Sequence, residues 1–106
     1  MKQDTEGPVI TLLGPLGTPG YNVGEPVCFS ANVIDESTLQ LLTLSVRKNG
    51  NELPAYRQQF HPAGKVYSVN TKVFPGVECA GNSMLVFEVM DRLGNKSSLS
   101  IPLEIR

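Results

Sequence analysis

Along most of this chain apolar and polar residues alternate with a period of two, and the clearest run is the last quarter. From Met84 to Arg106, Leu85, Phe87 and Val89 alternate with polar or exposed positions. After a break, Leu99, Ile101, Leu103 and Ile105 alternate with Ser98, Ser100, Pro102 and Glu104. Successive side chains of a strand point to opposite faces, so each apolar set shares one face. The intervening Asp91-Arg92-Leu93-Gly94-Asn95 is turn chemistry, with Asp91 able to cap through its carboxylate and Gly94 able to take positive φ. The pattern predicts a hairpin whose apolar face must be covered by the residues upstream.

Those residues repeat the pattern in shorter pieces. Val9 to Leu13 reads as a first strand behind Pro8, an edge position where a missing donor is tolerated. Gly14 to Gly24 is an irregular loop. Val27, Phe29, Ala31 and Val33 share the inward face of a second strand, and Asp35-Glu36-Ser37 predicts a turn. Leucines between Ser37 and Val46 cluster enough for a short helix, but Thr43, Ser45 and Val46 are β-prone and Asn49-Gly50 is a hairpin turn. That stretch is therefore a third strand, facing inward through Leu42, Leu44 and Val46. Glu52 to Phe60 is a weaker strand broken by Pro54, followed by a turn at His61-Pro62-Ala63-Gly64. Tyr67, Val69, Thr71 and Val73 alternate up to Pro75-Gly76, and Val77 to Ser83 is a crossing loop. About seven short strands with turn signals every 8–12 residues predict an all-β fold, an immunoglobulin-like antiparallel β-sandwich. Phe29, Val33, Leu44, Val69, Phe87, Val89 and Ile101 are its expected core.

At 106 residues the chain is long enough for a single domain, 1–106, with a linker-like start over 1–8. Nine basic and ten acidic residues are scattered along it, which argues against nucleic acid or an anionic membrane as partner, since both need a basic face. No apolar run approaches the roughly 18 residues of a membrane span. The polar start, Met1 to Pro8, does not read as a signal peptide. Because Arg106 directly follows the last strand, the chain is expected to be a piece of a longer exported protein.

Gly7-Pro8-Val9-Ile10, Val23-Gly24-Glu25-Pro26-Val27, Val33-Ile34-Asp35 and Val89-Met90-Asp91-Arg92-Leu93-Gly94-Asn95 resemble the bacterial immunoglobulin-like repeats of surface or secreted proteins. Cadherin and fibronectin type III modules are more distant in appearance. The resemblance spans nearly the whole chain, is specific for fold, and says little of function, because this fold carries many unrelated roles. It implies an extracellular, cell-surface or periplasmic location. Two departures stand out: the tryptophan of antibody domains is absent, and Cys28 and Cys79 have no counterpart in most such repeats.

In a sandwich of that order Cys28 and Cys79 start at the same end, so a disulfide is expected. Closing a loop of roughly fifty residues would contribute about 4 kcal/mol in the chain-entropy picture. At the opposite end Asp35, Glu36, Asp91 and Asn95 converge with Asp4 and Glu6. Hard oxygens from several loops are what Ca²⁺ takes, and cadherin-like repeats hold calcium at that end. Asp35 and Asp91 equally suit turn caps. The lone His61, next to Pro62, supports neither a triad nor a zinc site. Ser97 and Ser98 have no neighbouring base, and the glycine-rich 14–24 loop lacks the Lys-Ser/Thr of a phosphate loop. Asn95-Lys96-Ser97 is a formal glycosylation sequon. Tyr56 and Phe60, in the weakest strand, are candidate ligand-contact aromatics, while Tyr67 and Phe74 read as core.

The expected role is a non-catalytic structural or adhesive spacer of a tandem array, monomeric when isolated, with neighbouring domains of the same chain as partners. The alternative is an accessory module on a secreted enzyme, binding carbohydrate or protein. An enzyme is not expected, because no nucleophile–base pair or metal cluster is visible. No cofactor is expected beyond the Ca²⁺ considered above.

Overall fold

The computed structural model describes residues 7–15 and 20–106. These residues are almost entirely β: β1 (Val9–Gly14), β2 (Gly20–Tyr21), β3 (Val27–Lys48), β4 (Asn51–Glu52), β5 (Gln58–Phe60), β6 (Gly64–Val73), β7 (Gly81–Asp91) and β8 (Lys96–Ile105). All eight belong to one hydrogen-bonded sheet.

The organising strand is β3, 22 residues long. Its first half lies between β1 and β6, with Ile34 opposite both Val9 and Val66. Its second half pairs with β7 on one side and with β4 and β5 on the other. β8 lies antiparallel beside β7, and two-residue β2 runs parallel to the end of β8. The sheet therefore curls over its own apolar face. Phe29 from the first half meets Phe87 of β7 with ring centroids 4.9 Å apart and planes tilted by 52°.

The sequence divides β3 into two strands with a turn at Asp35-Glu36-Ser37, whereas the backbone stays extended through all three residues. The turn signal marks a real break in pairing: Ile34 faces Val66 and Leu39 faces Gly64, so residues 35–38 stand against Lys65 alone, while Asp35 remains an inward position. A second irregularity follows on the β7 side. Leu39 and Leu41 face the consecutive residues Asp91 and Met90, so Gln40 is the extra residue. It shifts the buried set from odd positions, ending at Leu39, to the even positions Leu42, Leu44 and Val46.

The other elements follow the alternation closely. Asn49 (φ 55°) and Gly50 (φ 79°) make the tight turn the sequence indicates. Pro54 interrupts the weak strand with a 3₁₀ turn, Pro54–Tyr56, leaving β4 and β5 on either side. The expected core residues are all buried, together with Leu39, Leu85, Leu103 and Ile105. Phe74 is an exception: it lies past the end of β6 and is 59% exposed.

Phe87→Ala should destabilise the domain by about 3–5 kcal/mol, the usual range for a buried aromatic truncated to alanine. Denaturant unfolding measures this directly, and a loss below about 1 kcal/mol would contradict the packing of Phe87 on Phe29.

Candidate functional site

Three places gather chemically capable side chains, and the alternation of the strands decides what each can do.

The first is the pole formed by residues 35–38 and the turn 91–95. Asp91 ends the inward row Leu85, Phe87, Val89, and Asp35 ends the inward row of the first half of β3, so two acids close the core at this pole. Asp91 is fully buried. Its Oδ1 accepts hydrogen bonds from the backbone N–H of Leu93 and of Asn95, both at 2.9 Å, and its Oδ2 accepts one from Asn95 Nδ2 at 3.1 Å. The Asp35 side chain is also hydrogen-bonded to it. Two carboxyl groups can share a hydrogen bond only through a proton on one of them, and three N–H donors make Asp91 the ionised partner. Burial pushes the Asp91 carboxyl up, but the bonds from Asp35, Asn95 and Leu93 outweigh it and hold the group below the ordinary aspartate value. Arg92 N–H donates to the Thr38 carbonyl at 2.9 Å, tying the two connections together.

Of the expected calcium set, this pole joins Asp35, Asp91 and Asn95, while Glu36 points outward. Asp4 and Glu6 lie outside the described residues. Among the described residues no group of three or more His, Cys, Asp or Glu is arranged to hold a metal. The oxygens of Asp91 are already used as turn acceptors. Asn95 Nδ2, the nitrogen a glycan would occupy, is engaged with Asp91.

The second place is the opposite pole, where the expected disulfide is not formed. Both cysteines are free; Cys28 is exposed and Cys79 is buried. Cys28 lies between the inward residues Val27 and Phe29 and so projects from the outer face, whereas Cys79 is part of the core. Cys28 is on a strand of the sheet and Cys79 closes the 3₁₀ turn Val77–Cys79, so sharing one end does not bring an exposed and a buried thiol together. The aromatics beside this pole are structural too. Tyr56 is half-buried, donates its hydroxyl to Glu78, and accepts the Gly76 N–H at 3.0 Å. The bond to Glu78, followed by desolvation, pushes the phenol up to about 12. Phe60 packs against the core and Tyr67, with centroids 6.3 Å apart. Tyr56 and Phe60 do not form an exposed platform.

The third place is the outward face of β3, β7 and β8. Its cross-strand rows are Thr43–Glu88–Ser98, Ser45–Val86–Ser100 and Arg47–Met84–Pro102. A cleft of about 520 Å³ lies on this face, with Arg47, Asn82, Val86, Glu88, Ser98 and Ser100 in its lining. Arg47 reaches diagonally across the middle row to Glu88, 3.7 Å away. Ser45 and Val86 are only 1% and 8% exposed although they lie on the outward face. The Ser45 Oγ and Arg47 Nε atoms are buried without a hydrogen-bond partner. Reading the sequence for catalytic pairs missed this face. Its signal is a pair of small outward residues, Ser98 and Ser100, opposite Glu88 and Val86.

Neither the protein-family models nor the curated proteins compared with the chain give a match.

Two outcomes follow. The stabilisation from Asp91 is complete above the ordinary aspartate range, about 4, and is withdrawn as pH falls below it, because the unfolded chain takes up a proton there while the folded carboxylate, held by its hydrogen bonds, does not. Thermal unfolding from pH 7 to 3 should show that fall, and it should be shallower in Asp91→Asn. Asp91→Ala, which strands two backbone donors, should cost about 2–4 kcal/mol at pH 7. Separately, a thiol reagent should modify one cysteine per chain in the folded protein, Cys28, and two after denaturation. No reactive thiol in the denatured, unreduced protein would restore the disulfide.

Proposed function

We propose that this domain is an immunoglobulin-like β-sandwich that serves as a structural or adhesive spacer in a longer surface or secreted chain. The pairing pattern supports the sandwich: the first half of β3 with β1 and β6 makes one layer, and its second half with β4, β5, β7 and β8 makes the other. β2 joins the second layer through its parallel contact with β8.

The observation that carries the spacer reading is where the described chain enters and leaves. Gly7 packs on the turn before β8 so closely that a Cβ there would lie 2.6 Å from the Lys96 carbonyl oxygen. Arg106 leaves at the far end of the ten-residue β8, where Val23 N–H donates to its carbonyl and its own N–H donates to Tyr21. Ten residues of strand separate these points by roughly 33 Å. Entry at Gly7 and exit at Arg106 on opposite poles would let successive domains run in line. The surface location is carried by the resemblance of the chain to bacterial immunoglobulin-like repeats.

Two copies joined from Arg106 to Met1 should behave as an extended pair. Small-angle scattering should give a maximum dimension close to twice that of one copy. A pair folded side by side, with a dimension near that of one copy, would overturn the spacer reading.

A further inference from the structure

We propose that the free edge of β6 is a docking site for a second copy of this chain, which adds its own β6 antiparallel about a two-fold axis at Ser68. The spacer reading concerns the ends of the domain and this one its side, so either can fail alone.

β6 lies at an edge of the sheet: among the described residues it pairs with β3 and with no other strand. An edge strand turns the N–H and C=O of every second residue away from its neighbour. Lys72 shows which residues these are, because its carbonyl oxygen accepts the Gln58 side-chain amide at 3.1 Å, from outside the ladder. In step with Lys72, the backbone groups of Val66, Ser68 and Asn70 face the same open side.

Edges of this kind are ordinarily guarded by a charge, a proline or a bulge. Between Lys65 and Lys72 the sequence of β6 has no charge and no proline. Its pairing with β3 is regular from Val27–Val73 to Ile34–Val66, so there is no bulge in this stretch either. β5 reaches β6 through side chains. Gln58 accepts the Thr71 hydroxyl at 2.7 Å as well as donating to Lys72, and Phe60 meets Tyr67. These contacts close the core behind the edge and engage its backbone at Lys72, beyond the Val66–Asn70 stretch.

Unpaired backbone groups at strand spacing are matched by another extended chain. The residues of β6 favour a copy of itself. With Ser68 opposite its own counterpart, the copies exchange two backbone hydrogen bonds there and two at each Val66–Asn70 pair. On the inward face Tyr67 comes opposite Val69, an aromatic–aliphatic pair that prolongs the core row across the junction. Lys65 comes opposite Thr71 and Lys72 opposite Gly64, so no two like charges face each other. Lys65 is moreover in phase with the inward Tyr67 and Val69, and Lys72 with the outward Val66 and Ser68, so the lysines of the two copies leave opposite faces. A parallel copy in register would instead set Lys65 beside Lys65 and Lys72 beside Lys72, which is unfavourable.

The test is sedimentation of the intact chain from about 10 µM to about 1 mM, alongside Ser68→Lys and Ser68→Glu. Ser68 is exposed and its hydroxyl donates to Asn32 Oδ1 at 2.8 Å, so both variants should keep the melting temperature of the parent. The parent chain should pass from monomer to dimer across that range. Hydrogen exchange at the amides of Val66, Ser68 and Asn70 should slow in step. Each variant sets two like charges face to face at the axis and should stay monomeric, whereas an equimolar mixture of the two should recover the dimer. If a variant unfolds, the concentration dependence of those three amides decides. A parent chain that stays monomeric, a dimer indifferent to both variants, a mixture that stays monomeric, or slowed amides centred elsewhere would each overturn the proposal. So would an extended Glu/Thr/Val peptide that protects these amides where the chain itself is monomeric.

Discussion

The fold depends on one continuous strand changing which of its residues face inward. In β3 the first half contributes Phe29 and Val33 to the core, and the second half contributes Leu42, Leu44 and Val46. A strand with strict two-residue alternation cannot present odd residues to the core over one part and even residues over the next. The extra residue at Gln40 resolves the conflict, and β7 accommodates it by facing Leu39 and Leu41 with adjacent residues. The partners change around this region: β1 and β6 attach before it, β4 and β5 after it, and β7 runs along both sides of Gln40. The Phe29–Phe87 contact closes the two halves on each other.

The same logic separates the three chemical places. Strand phase sends Asp35 and Asp91 inward, where their hydrogen bonds hold the hairpin turn and Arg92 to the neighbouring connection. It sends Cys28 outward, while Cys79 enters the core from the 3₁₀ turn Val77–Cys79. It sends Arg47, Val86, Glu88 and Ser100 to the outer face, where they line a hollow. In each case direction, more than proximity along the fold, settles what the side chains can do together.

Much of the fold is legible in the sequence because alternation is a local signal. The hairpin over Leu85 to Ile105, the Asn49-Gly50 turn and the break at Pro54 all lie where the residues place them. The irregularity of β3 is legible in part: Asp35-Glu36-Ser37 carries turn chemistry where the β6 ladder breaks register, while the bulge at Gln40 has no distinctive residue type. The turn role of Asp91 is readable from its type and position, but its complete burial is not, because an acid at the end of an apolar row looks like the first residue of a loop. The outer cleft escapes a search for reactive residues altogether. It lies where Ser98 and Ser100 carry little bulk, and absence of bulk becomes visible only once cross-strand neighbours are known.

The bulge also bears on how this chain tolerates change in length rather than in composition. Loss of Gln40 alone would remove no core atom and no charge. With the β7 register kept, Leu41 would follow Leu39 directly, and Leu42, Leu44 and Val46 would keep both their partners Val89, Phe87 and Leu85 and their inward face. The bulge would become regular ladder and its extra local twist would be lost. A one-residue deletion at this exposed glutamine is thus absorbed by the strand pairing, whereas one farther along β3 would turn every later side chain to the other face.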